Sequence, residues 1–347
     1  MKLYGRQWTR REIEARVGRI EQIGGLRRLQ WTEGAEAGNE QIQVRTGAGL
    51  TYYASPSRAL DISLAEFGGV PLTWQSASGD VHPAYYDAGG VEWLRTAAGG
   101  LLMTCGLSYV GAPEEEEGRS FGLHGRAHHI PARLVSATGQ WQDDEYEMRI
   151  SGLVEETMIF GPNLRLSRTI RSKIGQNRIE LIDLVENAGF EATPHMILYH
   201  FNFGFPLLDE GTAIEFPSRI VISRDEGIPV EGFDHWQLPE AGYQERVYYH
   251  QGFDSDEAQV IIHNPRFPRA AGLETIPLSV SLNWSISQLP MLVQWKMPGA
   301  GVHVLGVEPA TCYVEGRASE RARGTLTMLE PGESRTYELA IEVTADA

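Results

Sequence analysis

Between residues 10 and 23 the apolar side chains Ile13, Val17 and Ile20 recur at i, i+4 and i+7, and Glu12 stands four residues ahead of Arg16. That spacing predicts one amphipathic helix, ended by Gly24-Gly25. Beyond residue 25 the period changes to short apolar or alternating runs separated by Gly, Pro, Asn and Asp, the pattern of many strands joined by turns. Leu164, Leu166, Ile170 and Ile174 fall on one face of an extended segment, with Arg165, Thr169, Arg171 and Lys173 on the other. Gly175-Gln176-Asn177 then turns the chain into 178–185, which predicts a hairpin. Further strands are predicted at 41–45, 50–54, 59–64, 101–109, 132–137, 146–151, 155–160, 196–203, 220–223, 259–263, 278–284, 292–297, 303–307, 324–328 and 334–343. No alternation of strand with helix builds a parallel sheet. The expected fold class is therefore all-β, a large antiparallel β-sandwich with a short N-terminal helix. Residues 1–25 are expected to pack as a helical segment on a single sandwich domain spanning 26–347.

Composition adjusts this picture only slightly. The chain has 347 residues, 42% of them apolar, so it can bury a core, and its 38 glycines suit a turn-rich fold. The length allows two domains at ~150 residues each, but β-sandwiches also reach ~200–250 residues as one unit. A formal charge of −16 argues against a nucleic-acid binder or a ligand of anionic membranes. The opening residues lack the apolar run of a signal peptide, and no apolar stretch approaches a membrane span, so a cytoplasmic location is expected. Cys105 and Cys312 form no CxxC or zinc pattern and are expected to be buried thiols. Glu114 to Glu117 reads as a solvated loop tip.

Four stretches combine titratable groups with tight backbone signals. In Gly122-Leu123-His124-Gly125-Arg126 a loop histidine stands between glycines, open to a ligand or simply to solvent. In Leu198-Tyr199-His200-Phe201-Asn202-Phe203-Gly204 alternation puts His200 and Asn202 on one face of a strand end, as a site or as a satisfied core pair. Glu308 ends an apolar strand just ahead of Pro309, which holds it extended and gives its carboxylate a defined direction. Arg58 and Asp61 stand three apart on opposite faces, and the planar donors of Arg58 suit sugar hydroxyls or a carboxylate. His128-His129 lacks ligand spacing, no phosphate or dinucleotide loop is present, and GxSxG is absent, so no metal or cofactor is expected. Trp74, Trp93, Trp236, Trp284, Trp295 and Tyr85 offer flat faces for a sugar ring or for the core.

The order of these residues resembles the aldose 1-epimerase superfamily, the galactose mutarotase-like proteins. Leu123-His124-Gly125, then His200-Phe201-Asn202, then Glu308 match that family's motifs, and the resemblance spans roughly residues 30 to 345. It is nearest to a divergent bacterial branch, marked by Ser57 to Ile62, His82-Pro83, Gly100-Leu101-Leu102, Glu186-Asn187, Trp295-Lys296 and Val307-Glu308-Pro309. The chain departs from the galactose-type enzymes in lacking Asn-Arg-Ile before the His-Gly loop and in having Tyr199 before the second histidine. Their acidic sugar-binding residue has only a loose counterpart near Phe233-Asp234-His235.

The resemblance implies an isomerase that interconverts the α and β anomers of a free sugar. It implies Glu308 as base and His200 as acid, which requires His200 protonated while Glu308 is ionised. His124, Arg58, Asn202, Trp295 and Arg126 are the implied substrate-binding residues. The expected partner is a small-molecule carbohydrate, with no nucleic acid and no membrane; a homodimer is compatible with the sequence. Two other functions fit the same residues, a non-catalytic carbohydrate-binding protein and a lyase or isomerase acting on an oxidised or acidic sugar.

Overall fold

Burial alternates residue by residue along Asn163–Lys173, so that Leu164, Leu166, Arg168, Ile170 and Ser172 face inward. Gly175, at φ 88°, reverses the chain into Arg178–Asn187, and the two strands pair antiparallel from Leu164–Asn187 to Arg171–Glu180. This is the hairpin that the pattern predicts. In the computed structural model, which describes residues 1–270, 272 and 274–345, such pairs assemble into three large antiparallel sheets. Gly25–Gln30, Glu40–Arg45, Leu50–Ser55, Asp61–Phe67 and Val70–Pro71 make a five-stranded meander in chain order.

The eight-stranded sheet runs Arg133–Gln142, Glu145–Thr157, Asn163–Lys173, Arg178–Asn187, Ser334–Ala345, Thr275–Ser285, Glu257–Pro268, Ala213–Glu215. The seven-stranded sheet carries, side by side, Ser218–Ser223, Arg246–Phe253, Met291–Gly299, Val302–Ala310 and Thr193–Gly204. Leu102–Leu107 and Thr327–Leu329 complete it, both pairing with Thr193–Gly204.

One apolar core joins the three sheets, with Ile42 and Tyr52, Leu166 and Val185, and Phe201 and Leu305 all in it. Met1, Leu3, Ile13 and Ile23 belong to the same core, so the N-terminal segment is part of the sandwich's packing. A second apolar cluster lies elsewhere, with Met103, Cys105, Leu198, Val293 and Ala310 from strands of the seven-stranded sheet and Trp93, Val110, Cys312 and Val314 from outside them. Both cysteines are free and buried. No helix among the described residues is long and apolar enough to cross a membrane.

The expected helix over 10–23 is shorter. It spans Arg10–Glu14, opened by a Thr9/Glu12 capping box, and a separate turn covers Ile20–Gln22. Gly18 between them disfavours helix, while Ile13, Val17 and Ile20 still meet the core. The strand expected from residue 59 starts at Asp61, because Ala59 and Leu60 hold left-handed φ values of 52° and 57°. The runs at 146–151 and 155–160 are one strand, Glu145–Thr157. Arg246–Phe253 and the helix Arg317–Arg323 were not foreseen.

Glu114 to Glu117 is no free loop tip. Glu114–Glu116 pairs with Arg119–Phe121 in a small hairpin, and Glu114 accepts from the backbone N–H of Arg317 at 2.7 Å. Glu116 holds the side chains of Arg317 and Arg321, so acidic residues that repel one another find a basic helix as partner.

Candidate active site

Thr193–Gly204 is buried along nearly its whole length, and its alternation sends consecutive residues to opposite sides. Tyr199 and Phe201 enter the main core, whereas Leu198 joins the second cluster and His200 lies on that same side of the sheet. Leu198 pairs with Ala310 and Phe201 with Val307, a register that sets His200 opposite Glu308 on neighbouring strands. His200 Nε2 stands 3.3 Å from Glu308 Oε1, with the two residues 6% and 2% exposed. The approach is off-line, and Glu308 Oε1 has no hydrogen-bond partner among the described residues. Gly306 makes room for this: a Cβ there would lie 2.5 Å from Glu308 Oε1, 2.9 Å from Trp295 Cβ and 3.2 Å from His200 Cε1.

His124 completes the group with its ring 6.1 Å from that of His200 and nearly perpendicular to it. Its residue sits at φ 57°, fixed by a backbone bond from its N–H to Gly111 O (2.9 Å) and one from Gly106 N–H to its own carbonyl (3.1 Å). The flanking glycines do not open the loop to solvent. A Cβ on Gly125 would meet Tyr109 O at 2.4 Å and one on Gly122 would meet Ala88 O at 2.1 Å, so they let the loop press against other backbone. Trp93 packs its ring 5.2 Å from His124. Trp295 lies 5.6 Å from His200 and 6.0 Å from Trp74, giving a continuous arc of rings around the His200–Glu308 pair.

Five buried polar atoms in this arc have no hydrogen-bond partner among the described residues: His124 Nδ1, His200 Nδ1, Asn202 Oδ1, Glu308 Oε1 and Trp93 Nε1. Native proteins leave few such atoms, so their gathering in one place marks a candidate site for a ligand with hydrogen-bonding groups. Asn202 spends its amide N–H on His200 O at 2.9 Å and keeps its oxygen free. Burial pushes His200 down to about 3 and His124 to about 4, and it pushes Glu308 well above the usual carboxylate range. Glu245 adds to the rise of Glu308, while Arg224 opposes it. Both shifts favour a protonated Glu308 beside a neutral His200, the reverse of the order implied by the sequence resemblance.

Arg58, expected at the far end of a ligand, is 1% exposed, with Nη1 donating to His128 Nε2 at 2.9 Å and Nη2 to Val81 O. Arg126 is exposed and stands outside the arc. The acidic residue beside the arc is Glu245, which accepts from Trp295 Nε1 at 2.9 Å and pairs with Arg224 at 3.2 Å. Asp234 and His235 instead pair with each other, and His235 is largely exposed. Trp236 and Trp284 pack in the main core, and Tyr85 is exposed. Glu245 and Gly306 were missed in the sequence. A carboxylate and a glycine carry no mark of their own until the register across the strands is known.

Comparison with known proteins adds the family. Residues 36–343 match the family described as "Domain of unknown function (DUF4432)". The chain belongs to that family. No curated protein matches this DUF4432 chain. Among solved structures, one named "putative aldose 1-epimerase" from Klebsiella pneumoniae subsp. pneumoniae MGH 78578 is 26% identical over 92% of this chain and 83% of its own, with a TM-score of 0.82. A galactose mutarotase-like protein from Clostridium acetobutylicum is 12% identical, covering 93% of this chain and 99% of its own, with a TM-score of 0.58. A galactose 1-epimerase from Lactobacillus acidophilus NCFM matches at 12% identity over the same shares, with a TM-score of 0.56. The fold of the DUF4432 chain is thus the galactose mutarotase-like sandwich.

Proposed function

We propose that the protein is an aldose 1-epimerase, interconverting the anomers of a free sugar at the His200–Glu308 pair. The observation that carries this reading is one acid and one base 3.3 Å apart, buried, and surrounded by polar atoms without partners. Likeness to the Klebsiella pneumoniae protein supports it.

Opening the hemiacetal takes a proton from the C1 hydroxyl and gives one to the ring oxygen, so the proton count of the pair is unchanged. Burial by itself favours the neutral form, protonated Glu308 beside neutral His200. Ligand hydroxyls that donate to Glu308 Oε1 and accept from His200 replace the missing solvation, and the proton can cross to His200. Glu308 then removes the C1 proton while His200 protonates the ring oxygen. After rotation about the bond from C1 to C2, reclosure on the other face runs the same transfers backwards. His124 faces the charge that develops on the reacting oxygens, and Trp295 and Trp74 bound the sugar ring.

Anomer-resolved exchange NMR over a panel of hexoses, pentoses and deoxy sugars is the test. Glu308→Gln and His200→Asn are each expected to lose ~10²–10⁴-fold of the catalysed exchange while folding normally, the range for positioned proton transfer. Wild-type rates in either folded variant would refute the assignment. Binding without exchange in the wild type would leave a carbohydrate-binding protein.

A further inference from the structure

The strand Ser218–Ser223 ends the seven-stranded sheet, with Arg246–Phe253 on one side and, among the described residues, no strand on the other. A free edge is a template for another strand, and proteins blunt such edges with lysine, proline, bulges or a cover. This one is little defended. It reads Ser-Arg-Ile-Val-Ile-Ser, its register with Arg246–Phe253 is unbroken, and its single charge, Arg219, is matched by Asp254. Ile220 and Ile222 are 51% and 44% exposed, two β-branched side chains turned to water on one face of the sheet.

The backbone bonds fix which groups the edge offers. Arg224 N–H donates to Val247 O at 2.9 Å, so by the alternation of an antiparallel pair Ile222 and Ile220 also turn their N–H and C=O groups toward Arg246–Phe253. Arg219, Val221 and Ser223 turn theirs outward. That order makes the edge complementary to itself. A twofold axis through Val221 sets Val221 opposite its own copy and Arg219 opposite Ser223, so that every such pair exchanges both of its N–H···O bonds through outward groups. The same register sets Ile220 of one copy opposite Ile222 of the other, about 4.5 Å apart at Cα, and the exposed isoleucines of both copies close into one apolar cluster. Moving the axis by one residue would oppose inward-turned groups and lose the bonds.

We propose that the protein associates into a twofold dimer through this edge, continuing the seven-stranded sheet across two copies. A twofold interface needs one patch that fits itself, which this strand supplies. Ile222 stands opposite Tyr249, Tyr249 opposite Val293 and Val293 opposite Glu308, and residues opposite one another share a face. The axis is therefore perpendicular to the sheet, and both His200–Glu308 sites lie on the same side of the dimer. The short edge and a charge of −16 on each copy make the association reversible. Nothing in it depends on the reaction carried out at those sites.

Sedimentation equilibrium over micromolar to millimolar protein should show the mass rising from 38.6 kDa toward its double. Association should tighten as salt rises from about 0.05 to about 0.5 M, because screening removes the repulsion between two acidic copies. Val221→Pro deletes an outward N–H that the monomer can spare at an edge, and should weaken association at least about tenfold through the lost backbone bonds. Ile222→Lys, which alters no backbone group, should do the same and decides the matter should the proline variant fold poorly. Val221→Cys should give a disulfide-linked dimer under mild oxidation, since a hydrogen-bonded pair lies about 5.5 Å apart at Cα, whereas Ile222→Cys stands too far from its copy to cross-link. The native Cys105 and Cys312 are buried and do not compete. A mass that stays at 38.6 kDa at every concentration would overturn the proposal. So would association that survives Ile222→Lys, that weakens with salt, or that cross-links through Ile222→Cys and not Val221→Cys.

Discussion

Gly306 decides the geometry of the His200–Glu308 pair by having no side chain. Its φ is ordinary, so the requirement is space alone, and alanine there would force the Glu308 carboxylate or Trp295 away from His200. Gly306→Ala should lower kcat by roughly 10²-fold, the cost of misplacing a catalytic group by about 1 Å, with the unfolding midpoint little changed. Exchange rates and a thermal melt on the same sample check both halves. His124, His200, Asn202 and Glu308 were legible in the sequence because tight backbone signals flank them. The direction of their pKa shifts was not, since burial of the pair follows from side chains distant in the chain. Arg58 stands in the sequence as a ligand candidate, but the structure buries it against His128, from a turn 70 residues away, a partner no local pattern could show.

At the scale of elements, the hairpin Glu114–Phe121 runs straight into the Gly122–Gly125 loop that carries His124, and the helix Arg317–Arg323 anchors it. Arg317 and Glu116 form the buried part of this clasp, with side chains 7% and 9% exposed, and Arg317 also lies over Phe121. Removing one partner of a buried pair is costly, so Arg317→Ala should destabilise by about 3 kcal/mol. It should also raise KM through the loosened His124 loop and speed proteolysis within residues 112–121. Denaturant melts, kinetics and limited digestion read the three effects. Period-2 alternation exposed most of the strands because one face of each meets the core. It failed for Arg246–Phe253, where Val247, Tyr248, Tyr249 and His250 are all buried and no alternation exists to be read. The run of acidic residues misled for a related reason: its basic partner lies some 200 positions later.

For the whole molecule, seven of ten histidines have their pKa lowered, chiefly by burial: His124, His128, His129, His195, His200, His250 and His303. Below 6.5 the unfolded chain takes up protons that the folded chain refuses, so stability falls as pH drops from about 6.5 toward 4. Glu308 and Glu320 are raised and act in the opposite sense, holding protons in the folded state that the unfolded chain releases. Seven groups outweigh two. The thermal midpoint should therefore decline steadily from pH 7 to pH 4.5, and a flat profile measured by calorimetry would contradict this burial pattern.

The Thr193–Gly204 strand serves two masters: Tyr199 is tied by Asp183 and Arg168 into the space between the sheets, while the next residue, His200, performs the proposed chemistry. A side chain held this way has no local melting of its own. Loss of exchange activity on heating should coincide with loss of tertiary near-ultraviolet signal, so that turnover becomes a gauge of global unfolding, and shifting the chain by a single residue within this strand would put a tyrosine where the imidazole belongs.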